Sequence, residues 1–146
     1  MRDRLRRGLG FVCIGLFAGL TLVVLWQVVS RYLLSHPSSA SEELARILLM
    51  WLGLVGACYT HLDNQHIAIR LWPELHAAQR DRLIVLLCQV FSLFLLVGGT
   101  RLCMLTFELH QTTPVLGLPM GLVYLVLPLS GLGLAVGNYF HYQEKS

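Results

Sequence analysis

The sequence predicts an all-α integral membrane protein with four transmembrane helices and a short interfacial segment between the second and third. Three observations carry that prediction. Of 146 residues, 55% are hydrophobic and 13% charged, where a soluble domain carries roughly 25% charged residues; the mean hydropathy is +0.65. The apolar residues collect in four runs, about 8–30, 41–62, 83–105 and 119–140, each of a length that suits a bilayer crossing. The basic residues are divided unequally between the connections, as they are in proteins that insert with a fixed orientation. The four runs fill one domain, 1–146, and leave no room for a second.

The first run follows a basic start, Met1 to Arg7, and is free of charge from Gly8 to Ser30. At about 1.5 Å per residue it gives roughly 34 Å of helix, enough for a hydrocarbon core of about 30 Å. A signal peptide also begins this way, but its apolar core is shorter and ends at a small-x-small cleavage site. No such site followed by a polar mature chain is present, so the segment is expected to remain as the first span.

The chain is organised around the corner where this span ends and the next begins, Trp26 to Arg46. Trp26, Gln27, Arg31 and Tyr32 mark an exit into the interface. Pro37-Ser38-Ser39 breaks the chain, and Ser41 is expected to cap the second helix, with Glu42 and Glu43 in its first turn at the positive end of the dipole. Glu42 and Glu43 precede Arg46 by four and three residues, the favourable order for a helical ion pair. Arg31, Glu42, Glu43 and Arg46 therefore read as one network that fixes the angle between the first two helices, the alternative being that each charge only snorkels to the interface.

The strictly uncharged part of the second span, Ile47 to Leu62, is short, so the charged first turn must reach the headgroups. Asp63 to Arg82 is the longest polar connection and is expected to lie in the interface plane, anchored by Trp72. The third span is expected to end at Arg101. A polar connection without Lys or Arg, Glu108 to Pro119, leads to the fourth. Pro119 suits a first turn, and Pro128 should kink the helix by freeing the carbonyl four residues back. Pairs of small residues four apart (Gly15 and Gly19, Gly53 and Ala57, Gly133 and Gly137) suggest a packed bundle.

With the N-terminus inside, Arg2, Arg4, Arg6, Arg7, Arg70, Arg80, Arg82 and Lys145 fall on the cytoplasmic side, and Arg31, Arg46 and Arg101 on the outer side. That asymmetry predicts cytoplasmic termini in a bacterial inner membrane.

Several functions are excluded. No Asp, Glu, Lys or Arg sits near the middle of a run, where a pump or proton-coupled carrier places one. The four cysteines, Cys13, Cys58, Cys88 and Cys103, lie in apolar runs without CxxC or metal spacing, as small apolar residues do. The histidines lie in connections or at a helix end, which does not suit a di-haem site. Basic residues without interleaved exposed aromatics exclude nucleic acid. No metal, cofactor or enzymatic site is expected. Gln27 and Gln89 read as hydrogen-bonding links between helices.

At the corner the chain resembles the small membrane subunit of TRAP transporters, the tripartite ATP-independent periplasmic carriers. The resemblance rests on Trp26-Gln27-Val28-Val29-Ser30-Arg31-Tyr32, on Pro37 followed by Ser41-Glu42-Glu43-Leu44-Ala45-Arg46, on Trp51 with Gly56-Ala57, on His66-Ile67, and on Leu118-Pro119-Met120, Tyr124 and Pro128. Two positions depart from the pattern: Ala40 and Gly121 stand where the family tends to have aromatics. The resemblance implies an accessory role in sodium-coupled uptake of an organic acid carboxylate. Its partners would be a large multi-span transport subunit, which holds the sodium and substrate sites, and a periplasmic substrate-binding protein that docks on the outer face. Membrane lipid surrounds the rest. Trp26, Gln27, Arg31, Ser41, Glu42, Glu43 and Arg46 would then be structural or partner-interface residues. The alternative is a free-standing four-helix membrane protein, a small transporter or an assembly factor.

Overall fold

A computed structural model describes residues 2–33, 38–62 and 77–145. Helices α1 (Arg2–Tyr32), α2 (Ser39–Leu62) and α3 (Ala77–Glu108) are followed by a short α4 (Met120–Tyr124) and by α5 (Val126–Lys145). Four segments are long and apolar enough to cross a membrane: Arg4–Tyr32, Ser39–His61, Val85–Glu108 and Met120–Asn138. The segment expected to lie in the interface plane falls largely on 63–76, outside the described residues, as do Trp72 and Pro37.

Two boundaries differ from expectation. α2 starts at Ser39 rather than Ser41, and its cap is Ser38: the Ser38 Oγ accepts the Ser41 N–H at 3.4 Å. Ser41 instead donates its own hydroxyl to the Ser38 carbonyl at 2.8 Å. A serine placed just after the proline break meets the third amide of the helix, which moves the cap three residues upstream. α3 does not end at Arg101. Leu102 to Phe107 are apolar or small and good enough helix formers to carry it two turns further, to Glu108.

The principal contacts are α1 with α2, α2 with α5, and α3 with both α5 and α4. The helices thus stand in the order α1–α2–α5–α3, with α1 braced by α2. Matching positions give the directions: Gly10 faces Tyr59 and Gly19 lies beside Leu48 across antiparallel α1 and α2. The bonds from Trp51 to Val123 of α4 and from Cys58 to Ser130 of α5 mark α2 and the fourth span as parallel.

Small residues let the backbones approach, though not at every expected pair. A side chain at Gly133 would sit 2.9 Å from Cys58 Sγ, and one at Gly137 would collide with the His61 ring. Gly131 lies against the Leu96 backbone and Gly99 against Leu127 and Pro128. Gly15 and Gly53 face open space. The core is correspondingly small: Cys58, Leu95 and Leu134, with Leu9, Leu54 and Leu127 packed against it. In lipid there is little to gain from hiding leucine, so close approach and interhelical hydrogen bonds hold the helices together.

The fourth span is broken, not merely bent. Pro128 has no N–H to offer the Tyr124 carbonyl. The ladder lapses at Leu125, whose own N–H reaches back only three residues, to Leu122, at 3.3 Å. The Trp51 indole Nε1–H donates to the Val123 carbonyl at 3.1 Å, so α2 compensates beside the break.

Candidate functional site

The first turns of α2 and the α3–α4 connection lie at the same end of the molecule and are joined by one side chain, Glu43. The connection folds back on itself. Thr112 and Pro119 form an antiparallel bridge, the Thr113 N–H donates to the Leu118 carbonyl at 2.8 Å, and the Gly117 N–H to the Thr113 carbonyl at 3.1 Å. The buried Thr113 hydroxyl accepts the Leu118 N–H at 3.0 Å. Gly117 has φ 65, a left-handed conformation that favours glycine.

The two remaining amides of the turn reach Glu43. Its Oε2 accepts the Val115 N–H at 3.0 Å and the Leu116 N–H at 3.4 Å. Pro114 has no N–H, so every backbone donor from Thr113 to Leu118 is accounted for. Glu43 is therefore a staple between α2 and a turn some seventy residues away, and the reason is chemical: a carboxylate only accepts, and an open turn offers amides. Glu43 Oε1 is buried without a donor among the described residues.

The expected four-residue network is thus divided. Glu42 and Arg46 form an exposed i,i+4 ion pair. Arg31 is exposed near the end of α1 and, among the described residues, pairs with neither glutamate. Ser41 is buried in the first turn of α2. Trp26 is 54% exposed and borders an open apolar groove of about 380 Å³, between Leu22 and Val23 of α1, Ala40 and Leu44 of α2, and Leu116 of the turn. The small Ala40 leaves that space open. Gln27 is half-buried, its Nε2 enclosed without an acceptor among the described residues. Gly121, the other departure, has a reason in this fold: the Phe107 ring occupies the space a side chain there would need.

Several polar side chains within the spans are directed at neighbouring helices, while Thr21, Thr60, Thr100, Thr106 and Ser130 bond carbonyls of their own helix. Ser92 Oγ donates to the Gly131 carbonyl at 2.7 Å, Cys58 Sγ lies 3.3 Å from the Ser130 carbonyl, and Cys103 Sγ lies 3.6 Å from that of Gly121. Gln89 Oε1 accepts from Asn138 Nδ2 at 2.9 Å, which gives Gln89 the linking role its sequence position suggested. Asn138 escaped the sequence reading because it stands near the end of its run, before Tyr139 and His141, where a polar residue also marks the exit to the interface. All four cysteines are free thiols. Among the described residues no three His, Cys, Asp or Glu side chains gather where they would hold a metal ion.

Four membrane helices joined through glycines and side chain-to-carbonyl bonds, with charges gathered at a stapled corner, define a small multi-pass membrane protein. The family model described as tripartite ATP-independent periplasmic transporters, DctQ component, matches residues 20–140. The chain belongs to this family; it is a TRAP transporter small permease subunit, not an enzyme. A protein of Haemophilus influenzae described as a TRAP transporter small permease is 27% identical over 136 residues, covering 88% of this chain and 81% of the relative. The sialic acid TRAP transporter small permease protein SiaQ of Vibrio cholerae is 32% identical over 88 residues, covering 60% of this chain and 50% of its own length.

Proposed function

We propose that this chain is the accessory membrane subunit of a sodium-coupled, binding-protein-dependent importer of an organic acid carboxylate. It braces the large transport subunit and lends its stapled corner to the docking face for the periplasmic binding protein. The observation that carries the proposal is the use of the polar groups inside the spans. Ser92, Gln89, Asn138, Trp51 and Cys58 are engaged with other helices of this chain, and no Asp, Glu, Lys or Arg stands at the centre of a span to move an ion or an acid. The name of the Vibrio cholerae relative supports a carboxylate cargo, since sialic acid is a carboxylic acid. The uneven arginine distribution supports cytoplasmic termini in an inner membrane, with the Glu43 corner on the periplasmic side.

The proposal is tested by co-expression with the large subunit and affinity purification in mild detergent. The two chains should elute as one complex. A chain that elutes alone, and alone drives solute uptake, would support the free-standing four-helix transporter instead.

A further inference from the structure

Arg101 is exposed on α3, makes no ion pair or hydrogen bond with any other described residue, and is not at the end of its span. α3 continues for seven residues to Glu108, about 10 Å of helix. The packing of Cys103 and Phe107 on Gly121 sets this stretch beside the opening turns of the fourth span. Counted from either helix, the Cα of Arg101 lies about 7–10 Å inside the membrane-spanning segments. An arginine at that depth normally faces protein and pairs with a carboxylate or with carbonyls, because an unpaired charge in hydrocarbon is costly. Here it faces outward. Up to Met104 its own face of α3 is otherwise apolar, with Phe94 73%, Val97 59% and Met104 61% exposed; the exposed Glu108 follows two turns on from Arg101, at the helix end. Gly98, one turn further in, is also exposed and has no atom within 4 Å of where a side chain would begin. A cation beside a glycine notch on an apolar ridge suits a second helix, which approaches closely at the notch.

We propose that this face of α3, centred on Arg101 and Gly98, is an interface with the large transport subunit, and that Arg101 receives a carboxylate from a transmembrane segment of that partner. The inference rests on the accessory-subunit reading above. Pairing across the interface neutralises a guanidinium that forms no ion pair with the described residues of its own chain.

The test compares the wild-type chain with Arg101→Lys and Arg101→Leu in co-purification with the large subunit, alongside mass spectrometry of bound lipid. Leucine is at home in lipid and in a helix, so Arg101→Leu should insert normally and unfold at the wild-type temperature when alone. Co-elution should fall about tenfold or more, as when one member of a desolvated charge pair is removed; Arg101→Lys should keep part of it. Undiminished co-elution of Arg101→Leu overturns the inference. So does a variant that loses only a bound anionic phospholipid, which would assign the guanidinium to a lipid phosphate. A benzoylphenylalanine at Val97 in the otherwise native chain gives a second readout: a cross-link to the large subunit supports the interface, and one to lipid alone contradicts it. Failure of the wild-type chain to co-elute would instead contradict the accessory reading itself.

Discussion

At the scale of the residue, the decisive contact is the one Glu43 makes. The charges at the Trp26–Arg46 corner were legible because they interrupt an apolar sequence, and the Glu42–Arg46 pair followed from spacing alone. The partner of Glu43 was not legible, since it is a pair of backbone amides at Val115 and Leu116, and no side-chain pattern announces an amide. The difference has a consequence. If Glu43 served Arg31, exchanging the two charges would restore function. As an acceptor for two N–H groups it tolerates Gln, which keeps an acceptor oxygen, but not Arg, which has none. Glu43→Gln should therefore leave the turn in place. Glu43→Ala should cost on the order of 1 kcal/mol and speed amide exchange at Val115 and Leu116, and Arg31→Glu with Glu43→Arg should behave like Glu43→Ala. Recovery of slow exchange in the swapped pair would show that charge, not acceptance, is what the site requires.

At the scale of the element, the apolar runs yielded four spans, while the joints between them followed tertiary detail. Pro128 announced a disturbance, but the break at Leu125 and its compensation by Trp51 depend on which helix lies alongside. Trp51→Phe keeps an aromatic ring but removes the donor and some volume. The expected loss is at least about 0.6 kcal/mol, the average for such bonds between membrane helices, with a packing loss added, measured as a lower unfolding temperature of the purified chain. The glycines separate more sharply. Sequence spacing marked Gly53 and Gly137 alike, yet only Gly137 faces a neighbour, the His61 ring. Gly137→Val should lower the unfolding temperature by several degrees, and Gly53→Val should leave it unchanged. Equal effects at both positions would contradict the α2–α5 packing described above.

At the scale of the whole molecule, the number of spans was readable from hydropathy, and the row order α1–α2–α5–α3 was not. Hydropathy says that a helix crosses the membrane but not which neighbour it chooses; here glycines and single polar donors decide that. The arginine asymmetry predicts where the ends lie. In a chain whose four native cysteines are alanine, a cysteine replacing Ser38 should react with an impermeant thiol reagent in intact spheroplasts. One replacing Gln79 should react only after lysis. Reaction at Gln79 in sealed cells would reverse the orientation.

The central claim is that this chain enables transport without performing it. The most direct test is sodium-driven uptake of a carboxylate substrate into proteoliposomes, measured with the large subunit and binding protein in the presence and absence of this chain, and with this chain alone. Uptake should appear only when all three are present, and the chain alone should give none under any ion gradient. Sustained uptake by this chain alone, or undiminished uptake when it is omitted, would contradict the account.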